Sequence, residues 1–190
     1  MGALDDGERV VAADGDAWRA WLALHHESSR GAWLVRGRSG FADRHVAYED
    51  AILHALCFGW VDGPVRVFDE ETSGLWFAPR RPSSGWAATN KARIARLEAE
   101  GLLQPAGVRA IETAKRNGAW EMLDGPEAGI EPPELTAALD ANPEARTRWN
   151  AFPSSTKKFG LTQIAMAKRP ETRAARIARI VADAAQGKRP

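Results

Sequence analysis

The sequence predicts an α+β protein, mostly helical, with a small antiparallel β-sheet built around one hairpin and a basic helical C-terminal lobe. Three observations predict it. Several segments repeat apolar residues at helical spacing, and one pair of β-branched and aromatic runs flanks a polar turn. Charge is also segregated: from Ala151 onward nine basic residues stand against two acidic ones, so the formal net charge of +1 conceals a basic end and an acidic remainder. At 190 residues, with 44% hydrophobic and 27% charged residues, the chain suits one core carrying a smaller lobe, and disorder is excluded for most of it.

The elements follow in order. Asp14 or Asp16 caps a helix in which Trp18, Trp21, Leu22 and His25 form one stripe, ended by Gly31. Ala32 to Arg36 reads as a short apolar strand and Gly37 to Gly40 as a loop. Tyr48 to Phe58 is apolar on most sides, with Tyr48, Ala51, Ile52, Ala55 and Phe58 on one face, so this helix is central. Gly59 offers a left-handed cap, after which 60–62 and 65–68 are extended. Asp69 to Gly74 turns the chain into the strand 75–78, which Pro79 and Pro82 stop. Thr89 or Asn90 caps a helix that reaches Glu100, and another spans 106–116. The Gly- and Pro-rich segment 125–133 is expected to link an N-terminal α+β core, 1–124, to the basic helical lobe, 134–190. In that lobe Asn142-Pro143-Glu144, Ser154 or Ser155, and Pro170-Glu171 start three helices, the last burying Ala174, Ile177, Val181 and Ala184.

Phosphate-loop, dinucleotide-binding, zincin and nucleophile-elbow motifs are absent, and His25 and His26 point about 100° apart on a helix, so no metal and no cofactor is expected. The single cysteine, Cys57, sits among apolar residues and reads as a small hydrophobe. It also fits a reducing, cytoplasmic location, as does a start, Met1 to Val11, that is acidic and not apolar; no run is long enough to cross a bilayer.

The best candidate site lies around the hairpin: Trp33, Trp60, Asp62, Arg80, Trp86 and Asn90 combine aromatic area with a carboxylate, a guanidinium and an amide, as a small-molecule or peptide pocket does. The same residues also suit plain structure, with Asp62 accepting turn N–H groups or pairing with Arg80, and the tryptophans filling the core. A catalytic alternative uses Asp62 or His26 as general base and Arg80 to stabilise an anion. A third reading binds nucleic acid through Lys168, Arg169, Arg173 and Arg176.

Ala55-Leu-Cys-Phe-Gly-Trp-Val-Asp-Gly63, Trp21 to His26, Gly31 to Leu34, Ala78-Pro-Arg-Arg81, Trp86 with Asn90, and Ala167 to Arg173 with Arg176-Ile177 together resemble the YdeI/OmpD-associated, bacteriocin-protection family. The resemblance implies a bacterial protein, resistance to bacteriocins or cationic peptides, association with a porin and a periplasmic site. It brings no catalytic residues. The N-terminus speaks against the periplasm and hence against the porin. A binding or stress-tolerance protein is therefore the leading expectation.

Overall fold

The structure, a computed structural model, describes residues 4, 6–38 and 46–190. The expected 37–40 loop lies partly outside them, as do Met1, Gly2, Ala3 and Asp5 of the acidic start. The chain divides into two compact units, Met1–Ser84 with Lys91–Arg116, and Gly85–Asn90 with Asn117–Pro190. The segment 125–133, expected as a linker, falls inside the second unit.

In the first unit, β1 (Glu8–Val10), β2 (Ala32–Gly37), β3 (Trp60–Val67) and β4 (Thr72–Pro79) form one sheet of order β1-β2-β4-β3. β2, β4 and β3 are antiparallel, whereas β1 runs parallel to β2, so the sheet is mixed and not antiparallel throughout. β1 has only three residues, too few for a period of two to declare itself. The two extended pieces 60–62 and 65–68 join as a single strand whose register shifts between Asp62 and Val65, across Gly63 and Pro64. A proline without an N–H is tolerated there because β3 is an edge strand.

The α1 helix (Gly15–His25) is capped by Asp14, whose carboxylate accepts the Ala17 N–H at 2.8 Å, and it stops well before Gly31. Trp18 and Leu22 are fully buried, while Trp21 and His25 are partly so. Trp18 packs on Phe77 of β4, 5.2 Å between ring centroids, so α1 covers the sheet face that bears Phe77. The α2 helix (Tyr48–Cys57) buries Ala51, Ile52, Leu53, Ala55, Leu56 and Cys57, but its first residue, Tyr48, is 45% exposed. Gly59 ends this passage at φ +73°, the left-handed conformation its position predicts. The α4 helix (Pro105–Arg116) packs against α2, with Gly107 in the contact.

The α3 helix (Ala88–Ala99) starts ahead of both expected caps. In the second unit the Ala88 N–H donates to Glu127 Oε2 at 2.7 Å, and the other Glu127 oxygen accepts Lys158 Nζ at 2.9 Å. A carboxylate distant in sequence thus does the work expected of Thr89 or Asn90. Lys158 holds the Glu127 carboxyl below its ordinary value of 4.5. Its stabilisation is therefore complete above the ordinary carboxylate range and fades as pH falls through the lowered value. Glu127→Ala is expected to cost about 1 kcal/mol in urea titration at pH 7, and the deficit should shrink at acid pH. An unchanged midpoint at pH 7 would reject the cap.

The rest of the second unit is helical: α5 (Asp124–Glu127), α6 (Pro133–Asp140), α7 (Pro143–Ala151), α8 (Ser154–Ala165) and α9 (Pro170–Ala185). Pro126 of α5 is buried and α5 packs on α8, which is how 125–133 becomes part of the unit. Asn142 caps α7 through the Ala145 N–H. The core joins Leu135, Leu139, Trp149, Leu161, Ile164, Ile177 and Ile180. On α9 it takes Ile180 and leaves Ala174 exposed, a small rotation from the expected stripe.

Candidate functional site

Antiparallel partners share a sheet face, so the register sorts the candidate residues. Asp62 pairs with Phe77, and Phe77 with Ala32; two and four residues along β2, Leu34 and Arg36 lie on that same face. Tyr48 joins the ends of this arrangement. Its hydroxyl donates to Asp62 Oδ2 at 3.2 Å, and the Arg36 guanidinium lies 5.6 Å from its ring centroid. Burial, and then the Asp62 charge, push the Tyr48 phenol above its ordinary value.

Arg80 follows β4 directly, and its backbone N–H donates to the Gly59 carbonyl at 2.9 Å. Burial pulls its guanidinium down to about 10, against the opposing charge of Asp62. Arg93 forks onto Glu49 with bonds of 2.8 and 2.6 Å, and that carboxylate holds the Arg93 guanidinium above its ordinary value. Around Tyr48 and Asp62 there are thus three guanidinium groups and two carboxylates, one of which is already clasped by Arg93. Arg36 Nε is buried and has no hydrogen-bond acceptor among the described residues. Beside the cluster, Val65 and Val67 are 66% and 59% exposed, so apolar surface adjoins the positive charge. Such a surface can orient an anion.

Of the residues singled out in the sequence, Asp62 and Arg80 lie within this cluster. Trp60 is buried beneath it, its indole N–H donating to the His26 carbonyl and its ring edge-on to Trp21. Trp33 pairs with Trp76 and so lies on the opposite face, packed against Trp76 and Phe68 with its N–H on the Leu4 carbonyl. Trp86 and Asn90 belong to the second unit, where Trp86 is buried against Trp120. His26 Nδ1 lies 2.9 Å from the Leu22 carbonyl, and its ring packs on Phe58. Cys57 is fully buried, and burial pushes its thiol up. Among the described residues, no three His, Cys, Asp or Glu side chains group so as to hold a metal ion.

In the second unit Arg173 binds Glu134 and the Ile164 carbonyl, and Arg176 donates to the Gln163 carbonyl, while Lys168 and Arg169 are exposed. Arg173 and Arg176 of the proposed nucleic-acid set are thus engaged within their own unit. Tyr48, Arg36, Arg93 and Glu49 were not anticipated. The period of two in Leu34-Val-Arg36 carries a signal for Arg36, but the partner strand needed to use it comes much later in the chain.

The class defined by this fold and site is a two-unit α+β protein with a cationic cluster on one sheet face. Residues 10–110 match the model of a domain of unknown function, DUF8412, and the chain belongs to that family. Residues 129–187 match the model of the bacteriocin-protection, YdeI or OmpD-associated family, the one the sequence resembles. That match lies within the second unit, whereas the Ala55 to Gly63 motif falls in the DUF8412 segment. No curated protein and no solved structure matches the chain. Among the described residues, no helix is long and apolar enough to cross a membrane.

Proposed function

We propose that the first unit binds a small anionic molecule over Tyr48, in a cytoplasmic stress-tolerance protein that does not turn its ligand over. One observation carries this reading. Glu49 is clasped by Arg93 and Asp62 already accepts the Tyr48 hydroxyl, while Arg36 keeps a buried Nε without an acceptor among the described residues. A ligand carboxylate or phosphate fits that unsatisfied positive charge, and charge-assisted hydrogen bonds in a partly buried setting are the strong ones. The exposed Val65 and Val67 supply the apolar area that gives such a ligand affinity. The protective role draws on the description of the family matched by residues 129–187. The cytoplasmic location draws on the single, buried cysteine.

The test is a thermal-shift panel of small carboxylates and phosphates. A ligand at 100 times its Kd stabilises by about 2.7 kcal/mol. Arg36→Met and Arg80→Met should each weaken a hit by about tenfold or more, equivalent to about 1.4 kcal/mol. Asp62→Asn should tighten it, because a competing negative charge is removed while an acceptor for Tyr48 remains. Hits that bind all three variants as they bind the parent protein would sink the reading.

A further inference from the structure

The second unit carries a groove of about 410 Å³ between α8 and α9, within the range of small-ligand pockets. Its floor is apolar. Gly160 lies in the middle of α8, and a side chain there would come within 3.2 to 3.4 Å of Pro190, Trp149 and Ile180, so the bare backbone keeps the floor low. On one wall Phe159 turns its ring outward, 53% exposed although large and apolar.

The opposite wall is α9, whose Arg176, Arg179, Ile180 and Asp183 recur at the spacing of one helix face. Arg176 gives one N–H group to the Gln163 carbonyl, and Arg179 Nε lies 3.5 Å from Asp183. The other N–H groups of both guanidiniums have no acceptor among the described residues. One side-chain carboxylate therefore stands with two cations beside an aromatic ring and an apolar floor.

From this we infer that the α8/α9 groove is a second binding site, selective for a flat aromatic molecule bearing one carboxylate. The ring lies on Gly160 and Ile180 against Phe159, and the carboxylate takes the spare N–H groups of Arg176 and Arg179. Charge complementarity sets the selectivity: a neutral ligand of the same shape forgoes the attraction to both guanidiniums, and a cation is repelled by them. The inference uses residues of the second unit only and stands or falls apart from the Tyr48 site.

The test uses the full chain with 1-naphthoate as probe and 1-naphthalenemethanol as its neutral counterpart, titrated calorimetrically. The acid should bind with Kd below about 1 mM and the alcohol about tenfold more weakly or worse. Arg179→Glu, at an 84% exposed position, and Phe159→Ser, also exposed, should each lower naphthoate affinity, the former by about tenfold or more. Arg36→Met removes any share of binding due to the first unit, and the losses on Arg179→Glu and Phe159→Ser should persist in that background, which separates this site from the one in the first unit. Equal affinity for acid and alcohol, indifference to Arg179→Glu in the Arg36→Met background, or no binding there at about 1 mM would each overturn the assignment.

Discussion

Trp149→Ala is expected to lower stability by about 3–5 kcal/mol, a large share of the roughly 5–15 kcal/mol typical of a folded protein. Trp149 is fully buried at the centre of the second unit's core, edge-on to Phe152. Two losses add up. Removing the indole leaves a cavity walled by helices that relax only in part, and the Glu131 carboxylate loses the Nε1–H that reaches it at 2.8 Å. Glu131 also accepts two bonds from Arg146, at 3.0 and 2.8 Å, so the network survives weakened. Trp149→Phe separates the terms, since it refills most of the cavity without restoring the donor, and should cost about 1–2 kcal/mol. Urea denaturation followed by far-UV circular dichroism measures both. If alanine costs no more than phenylalanine, the packing argument fails.

The second large effect is expected from adding a single methyl group. A Cβ on Gly107 would lie 2.3 Å from the Cys57 carbonyl oxygen and 3.0 Å from that of Leu56, both backbone atoms that no rotamer change can move aside. The same Cys57 oxygen accepts the Gln104 N–H at 3.0 Å, so separating α4 from α2 also strains that bond. Overpacking typically costs 1–3 kcal/mol, and because the obstacle is backbone, Gly107→Ala should cost about 3 kcal/mol. Gly125→Ala is the control: nothing lies within 4 Å of its position, and its φ is not in the left-handed region. Its urea midpoint should stay at the parent value or rise. Equal midpoints for the two variants would refute the close approach of α2 and α4.

What could be read in advance was local. Asp14, Asn142 with Pro143, and Gly59 declare a helix end by their own side chain or φ, and the structure has each in that role. The stripe of α2 was legible because nearly all of it is apolar. Asp62 and Arg80 are linked by a hairpin, whose antiparallel course brings them close without knowledge of any other strand.

Where the structure differs from expectation, partners remote in sequence are the commonest reason. The N-terminus of α3 is satisfied by Glu127, 39 residues from Ala88, so no nearby residue announces it. Trp33 and Trp60 have the same residue type and both lie close to the hairpin. Which face Trp33 occupies depends on its pairing with Trp76, and alternation alone leaves that sign open. Helical spacing puts Tyr48 on the inward face, but at the first turn of α2 its long side chain reaches out over the sheet to Asp62. The glycines and prolines of 125–133 suggested a linker, yet they also suit the short, tightly turned helices α5 and α6.

The sheet's outermost strands bear on how the protein behaves when crowded. One flank is β1, three residues long, and the other is β3, interrupted by its register shift and by Pro64. Neither gives an incoming chain a long, regular row of amide and carbonyl groups to copy. Templated growth into fibrils is therefore discouraged from both sides, and concentrated solutions should stay free of cross-β ribbons even where the helices loosen.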